Sequence, residues 1–207
     1  MKRFAPVAAL CLSFGALADS PPTRSPLAQA STTQPDAMQK TVQAGDASPT
    51  DADSVTLMKL HHGNQMEIQM GALAKSQASD KRVKDYGEKM VKDHTALDKD
   101  VTKFATKTKK IALPDMPPDA VVPKADMDKE MASMDKLKGL NGPAFDREYM
   151  AAMNADHAKD ISEVTTAREA TTDKKLKKLL DHGLSVMQDH KKIVEKWEAK
   201  APEAKVP

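Results

Sequence analysis

Cysteine is almost missing from this 207-residue chain, and the single one, Cys11, lies in its first segment, Met1 to Ala18. That segment has a positive start in Lys2 and Arg3, a mostly apolar stretch from Val7, and the small-residue site Ala16-Leu17-Ala18, the marks of a secretory signal that is removed. Its apolar run is about a dozen residues, where a spanning helix needs roughly 20. Leu10 before Cys11 is also too bulky for a lipoprotein signal. The mature chain is therefore expected to hold no cysteine, which excludes disulfides, a thiol nucleophile and thiolate metal ligation together.

Charge of one sign is missing too. The formal net charge of +2 includes Lys2 and Arg3, so cleavage after Ala18 leaves the remainder without net charge. Lysines and acids alternate along the later segments, as in Lys81-Arg82, Asp85, Glu88-Lys89 and Lys92-Asp93, which is the pattern of a solvated face rather than a basic stripe. Nucleic acid is excluded as a partner on that ground. Only eight glycines occur, with no glycine-rich phosphate loop and no GxSxG serine, so hydrolase and nucleotide-binding motifs are lacking. No later run is apolar enough to span a membrane, and periplasmic or secreted is the expected location.

From Asp19 to Thr50 the chain turns to Pro, Ser, Thr, Ala and Gln with few apolar residues. Such a segment cannot bury enough surface to offset its ordering entropy, and it reads as a flexible tether. A folded domain is expected over residues 51–200, followed by a disordered tail at 201–207.

Within that domain the periodicity is helical. Val83, Gly87, Met90, His94, Leu97, Val101 and Phe104 alternate steps of four and three, which keeps them on one helix face. Leu57, Leu60, Asn64, Ile68 and Gly71 repeat the pattern in a first segment over about Asp51 to Ala78, with Glu67 beside Ile68. A third segment opens at Gly142-Pro143 and carries Phe145, Tyr149, Met153, Ile161 and Val164. The fourth follows Thr171-Thr172-Asp173 with Leu176, Leu180, Gly183, Met187, His190, Val194 and Trp197. Prolines 114, 117, 118 and 123 break the middle connection, and a shorter helix with Met127, Met131, Met134 and Leu137 is expected before Gly139. The predicted fold is all-α: a ferritin-like antiparallel four-helix bundle with an extra short helix on the long crossover between the second and third long helices.

His94, His157 and His190 each fall on the stripe of a different long helix, and Glu67 on that of a fourth. Counting from the turns near Ser79 and Thr172, taken as one end of the bundle, puts Glu67, His94 and His157 at depths of roughly 18, 22 and 21 Å and His190 near 28 Å. Imidazole and carboxylate ligands suit Zn, Fe, Cu or Mn, so Glu67, His94, His157 and His190 are candidate ligands of one transition-metal ion. A di-iron oxidase site is disfavoured, because neither helix two, Met90-Val91-Lys92-Asp93-His94, nor the others supply a Glu-x-x-His pair. The competing reading is a neutral polar core whose ring nitrogens bond to Tyr86, Tyr149, Asn64 or Glu67. No catalytic set is identified. Asp93, Asp156, Asp181 and Asp189 each precede a histidine, and are expected to face water or a neighbouring helix. The methionine pairs Met66/Met70, Met127/Met131 and Met150/Met153 read as core filling, and His61-His62 as peripheral, where only one of the two can face inward and a surface place is favoured.

The runs Glu67 to Ala74 and Val83 to His94 resemble the exported bacterial family catalogued as domain of unknown function 4142. Ala112-Leu113-Pro114, Phe145-Asp146-Arg147-Glu148-Tyr149, His157 and His190 follow in that family's order, so the likeness covers about Ser54 to Lys196. The resemblance implies a ferritin-like bundle without an established reaction. Members often carry an outer-membrane label, for which this sequence offers neither barrel strands nor a spanning helix. Two functions stay open: an envelope structural or interaction module meeting an unidentified partner, and a metal-binding bundle that stores, buffers or senses a transition metal.

Overall fold

The computed structural model describes residues 51–200, and the regular elements in that range are all helical. They are α1 (Ala52–Gln77), α2 (Lys81–Lys103), α3 (Lys124–Lys138), α4 (Gly142–Ala170) and α5 (Lys174–Glu198). The signal, the tether and the tail read from the sequence lie outside the described residues. Among the described residues no helix is long and apolar enough to cross a membrane.

Short polar residues start the helices where the sequence places them. Asp80 is the N-cap of α2, accepting from the Arg82 amide at 2.8 Å, and Asp173 caps α5 through the Lys175 and Leu176 amides at 2.8 and 3.1 Å. The α2 stripe is buried as its spacing predicts, from Val83 through Met90 and Leu97 to Val101. Beyond Lys103 the helix widens into one π-helical stretch, Phe104–Lys109, and stops at Lys110 in the left-handed region, φ 60°. Lys109 is pinned there by Asp53 at 3.0 Å and Asp173 at 2.9 Å, which ties the starts of α1 and α5 to the end of α2.

The other end is tied by different contacts. The Asp146 carboxylate in the first turn of α4 accepts from the Ser79 and Asp80 amides at 3.0 and 2.9 Å, and the Trp197 indole at the end of α5 donates to Asp80 at 3.0 Å. The α1–α2 turn therefore shares its end of the bundle with the start of α4 and the end of α5. The turns near Ser79 and Thr172 lie at opposite ends, which corrects the common reference from which the sequence-based depths are counted. α1 and α5 run one way and α2 and α4 the other, with each helix antiparallel to the two it packs against. The crossover brings the chain back along the bundle, and α3 docks on α1 where Gln77 donates to the Leu137 and Lys138 carbonyls at 3.1 and 3.2 Å.

α1 and α2 approach most closely at Gly71 and Gly87. A Cβ on Gly87 would stand 2.6 Å from the Ala74 Cβ and 2.7 Å from the Gly71 carbonyl oxygen, atoms that cannot step aside. Gly87→Ala is therefore expected to destabilise by about 1–3 kcal/mol, although alanine is the better helix former by about 1 kcal/mol. Gly63→Ala, where the added Cβ meets nothing within 4 Å, is expected to move the other way. Urea midpoints of the two variants measured side by side check the pair, and a Gly87→Ala midpoint at or above wild type would rule out the close approach.

The apolar core is in two parts. Met70, Ala74, Tyr86, Met90, Tyr149, Met153 and Trp197 belong to one cluster, towards the Ser79 end. Leu57, Val101, Val164, Leu176, Leu180 and Met187 belong to another, towards the Thr172 end. Between them lies a buried polar layer.

Candidate metal centre

The layer is built from the long helices at mid-height. Asn64 and Glu67 come from α1, Asp93 and His94 from α2, His157 from α4 and His190 from α5. The three rings are 0–1% exposed, and Asn64 and Glu67 are 3% and 6% exposed. His94 Nε2 lies 3.2 Å from His190 Nδ1, and His157 Nε2 lies 3.1 Å from the same atom. The three candidate ligand nitrogens all fall within 4.8 Å of one another.

Each ring spends its other nitrogen outward. His157 Nδ1 donates to the Met153 carbonyl at 3.0 Å, and a carbonyl can only accept. His190 Nε2 donates to the Asp93 carboxylate at 2.9 Å, with Lys89 on the same carboxylate. His94 Nδ1 donates into the pair formed by Asn64 Oδ1 and Glu67 Oε2, both at 2.9 Å. A neutral imidazole has one N–H, so these outer partners fix the tautomers, and the three inward nitrogens are left with lone pairs.

The electrostatics keep the His157 and His190 rings in that state. Burial pushes His190 down to about 4, outweighing the upward pull of Asp93, and the neighbouring His94 and His157 add to the fall. Burial likewise lowers His157 against the opposing charge of Glu67. Burial alone would raise the Glu67 carboxyl, and the hydrogen bond from His94 pulls the other way, leaving it below the ordinary carboxylate range. Further along α4, burial pushes Asp160 up to about 8 and Asp156 up to about 6, and the Glu67 charge adds to both.

The four residues singled out in the sequence are thus neighbours, but not equivalents. The converging group is His94, His157 and His190. Glu67 stands behind it, on the outer nitrogens of His94 at 2.9 Å and of His157 at 3.4 Å. Its Oε1 is near enough to His157 to form an ion pair with a charged ring, yet the His157 N–H is aimed at Met153, and we take Oε1 as unpartnered. His190 is at the centre of the group despite its greater sequence-counted depth. Asp93 reaches a neighbouring helix as expected, and the ring it meets is a member of the cluster. Asn64, present in the sequence as one residue of a stripe, is a contact of His94.

Some local expectations change. The Tyr86 and Tyr149 hydroxyls do not serve the histidines: both are buried with no partner among the described residues. Their rings meet each other at 5.9 Å, and Tyr86 also meets His190 edge-on at 5.9 Å. Of the doublet His62 is the one that faces inward, buried with its Nε2 2.7 Å from Glu130 of α3 against the favoured surface place; His61 sits against Asp98 at 2.7 Å. Met127, Met150 and Met153 fill the core as expected, while Met131 is 47% exposed.

The chain belongs to the family described as Domain of unknown function (DUF4142), whose model matches residues 38–196. No curated protein matches it. Two solved structures share its fold. One is a candidate secreted protein, DUF305, from Streptomyces coelicolor, 16% identical over 73% of this chain and 94% of that one, with a TM-score of 0.60. The other is CopM in its Cu(II)-bound form, 20% identical over 72% of this chain and 96% of that one, with a TM-score of 0.58.

Proposed function

We propose that this DUF4142 protein binds one divalent transition-metal ion, copper(II) foremost, through His94 Nε2, His157 Nε2 and His190 Nδ1. The observation that carries the reading is that three buried ring nitrogens face one another while each ring's single proton is committed elsewhere. Three lone pairs at that spacing repel, and a cation among them turns the repulsion into ligation. Metal–nitrogen bonds of about 2.0–2.1 Å put neighbouring ligand nitrogens about 2.8–3.0 Å apart at the right angles that Cu(II) prefers and about 3.3–3.4 Å apart in a tetrahedral site, and the 3.1 and 3.2 Å found here lie between the two. Asp93, Glu67, Asn64 and the Met153 carbonyl are the outer partners that orient the ligands.

Copper heads the list because Cu(II) stands highest among first-row divalent ions on nitrogen ligands, and because CopM, of similar fold, is known with Cu(II) bound. A polar core that merely satisfies itself is the weaker account, since the inner nitrogens have no proton left to share. With an exported chain, the role that fits is holding or buffering the metal in the envelope; no reaction is proposed. Equilibrium dialysis of the folded protein with Cu(II) is expected to give one tightly held ion per chain with a nitrogen-rich paramagnetic resonance signal. Binding no stronger than that of a His94→Ala, His157→Ala double variant would end the proposal.

A further inference from the structure

A cavity of about 530 Å³ opens between the first half of α1, the start of α3 and the second half of α4. Leu97 and Met187, one turn from His94 and His190, are among the residues that line it. Asn64 and Glu67 also line it. The two side chains are more than nine-tenths buried, and each has an atom with no partner among the described residues, Asn64 Nδ2 and Glu67 Oε1. A buried donor and acceptor left unpaired each cost free energy, and the cost is recovered when a ligand arrives.

The walls favour a cation. Glu67, Asp126, Glu130 and Glu163 face Lys59, Lys159 and His62, with the Asp160 carboxyl, pushed up to about 8, neutral beside them. Lys59 pairs with Glu163 at 3.2 Å, Lys129 with Asp126 at 2.8 Å, and His62 meets Glu130 at 2.7 Å, so Glu67 and Glu130 are the charged wall acids without a lysine. Gly63 supplies an independent sign. It stands in the middle of α1, where glycine costs helix stability, yet a Cβ there would meet nothing within 4 Å. Gly71 is needed for close packing; Gly63 is not, and it lines the cavity. A larger side chain at 63 would project into the opening.

We propose that this cleft is the port by which a hydrated divalent cation reaches the three-histidine centre, with the Glu67 carboxylate as the ligand that receives the ion and passes it inward. The inference rests on the metal reading above. Glu67 is placed for the transfer because it borders the cavity and its carboxylate meets the outer Nδ1 atoms of His94 and His157, one imidazole ring away from the converging nitrogens. The acidic wall raises the local concentration of cations, as a like-charged cleft with apolar walls does.

Stopped-flow mixing of the metal-free full chain with Cu(II) tests it. Gly63→Phe is expected to fill the cleft and slow uptake by about ten-fold or more, because entry then waits on opening of the bundle, while the final load stays at one ion per chain. Asp126→Lys with Glu163→Lys, at the exposed mouth, keeps the proposal falsifiable should Gly63→Phe fold poorly. That variant is expected to slow uptake at low salt by roughly ten-fold and to approach the wild-type rate at high salt. Wild-type rates in both variants would overturn the port and leave the metal centre standing. No uptake by the wild type would overturn the port and the centre together.

Discussion

His190→Ala is expected to remove metal binding more completely than any other single substitution at the centre. Both close approaches in the cluster converge on His190 Nδ1, at 3.2 Å from His94 and 3.1 Å from His157, so its loss leaves two nitrogens whose only common neighbour is gone. Asp93→Asn provides the scale. It weakens the outer hydrogen bond that fixes the His190 tautomer, and outer-partner substitutions cost about 10–100-fold in metal affinity. His190→Ala should exceed that range. The same ordering should appear in thermal unfolding. A ligand at 100 times its dissociation constant stabilises by about 2.7 kcal/mol, which for a domain of this size is a rise of roughly 5–11 °C. Wild type should show that rise with Cu(II), Asp93→Asn a smaller one at equal metal, and His190→Ala essentially none. An unchanged dissociation constant in His190→Ala, measured by competition against a chelator, would place the metal elsewhere.

Helix identity and the inward faces were legible in the sequence because a bundle helix writes its burial into a 3–4 repeat, and Val83 to Val101 follows that repeat in the folded chain. The relative direction of the helix pairs was not. Short turns show that α1 and α2 are antiparallel, and likewise α4 and α5, but a proline-broken crossover says nothing about which ends meet. That is why His190, counted from the wrong end, stood apart from a cluster it occupies. A signal was present all the same. Tyr86, Met90 and His94 on α2 recur as Tyr149, Met153 and His157 on α4, in the same order and spacing. The tyrosine rings meet at 5.9 Å and the histidine rings at 5.8 Å, which requires α2 and α4 to run in the same direction.

Inward-facing ring and outer partner were also indistinguishable at the level of sequence. Periodicity assigns a side chain to a face, whereas the role of Glu67 depends on which ring nitrogen it meets. In the folded chain it meets the outer nitrogen of His94, so it belongs with Asp93 and Asn64 as a group that orients rings. Asp93 shows the same limit: its position beside His94 in the sequence is incidental, and its partner is a histidine 97 residues away. The orphaned hydroxyls of Tyr86 and Tyr149 are a cost that the packing of their rings offsets, and no hydrogen-bond role for them is found.

Asp146→Ala is expected to give the largest loss of stability among polar substitutions in the bundle, with little direct effect on the metal centre. The sequence marks Asp146 only as part of Phe145-Asp146-Arg147-Glu148-Tyr149, where it could be mistaken for a site residue. In the structure it is 4% exposed and closes the α1–α2 turn from outside, accepting from the Ser79 amide at 3.0 Å, the Ser79 hydroxyl at 2.5 Å and the Asp80 amide at 2.9 Å. Alanine removes three hydrogen bonds to a carboxylate at a turn that is only part-buried, and at about 1 kcal/mol for each the expected total is about 3 kcal/mol. For a domain of this size that is a fall in melting temperature of roughly 6–12 °C. Asp146→Asn keeps one acceptor oxygen and should fall between wild type and Asp146→Ala, while Ser79→Ala loses a single bond and should cost least. The clamp also holds the start of α4 against the turn before α2, so Asp146→Ala should fray both helix starts ahead of global unfolding, visible as faster amide exchange at Arg82, Val83 and Tyr149. A melting temperature within about 2 °C of wild type, below the shift that even 1 kcal/mol produces, would show that the turn holds without the carboxylate.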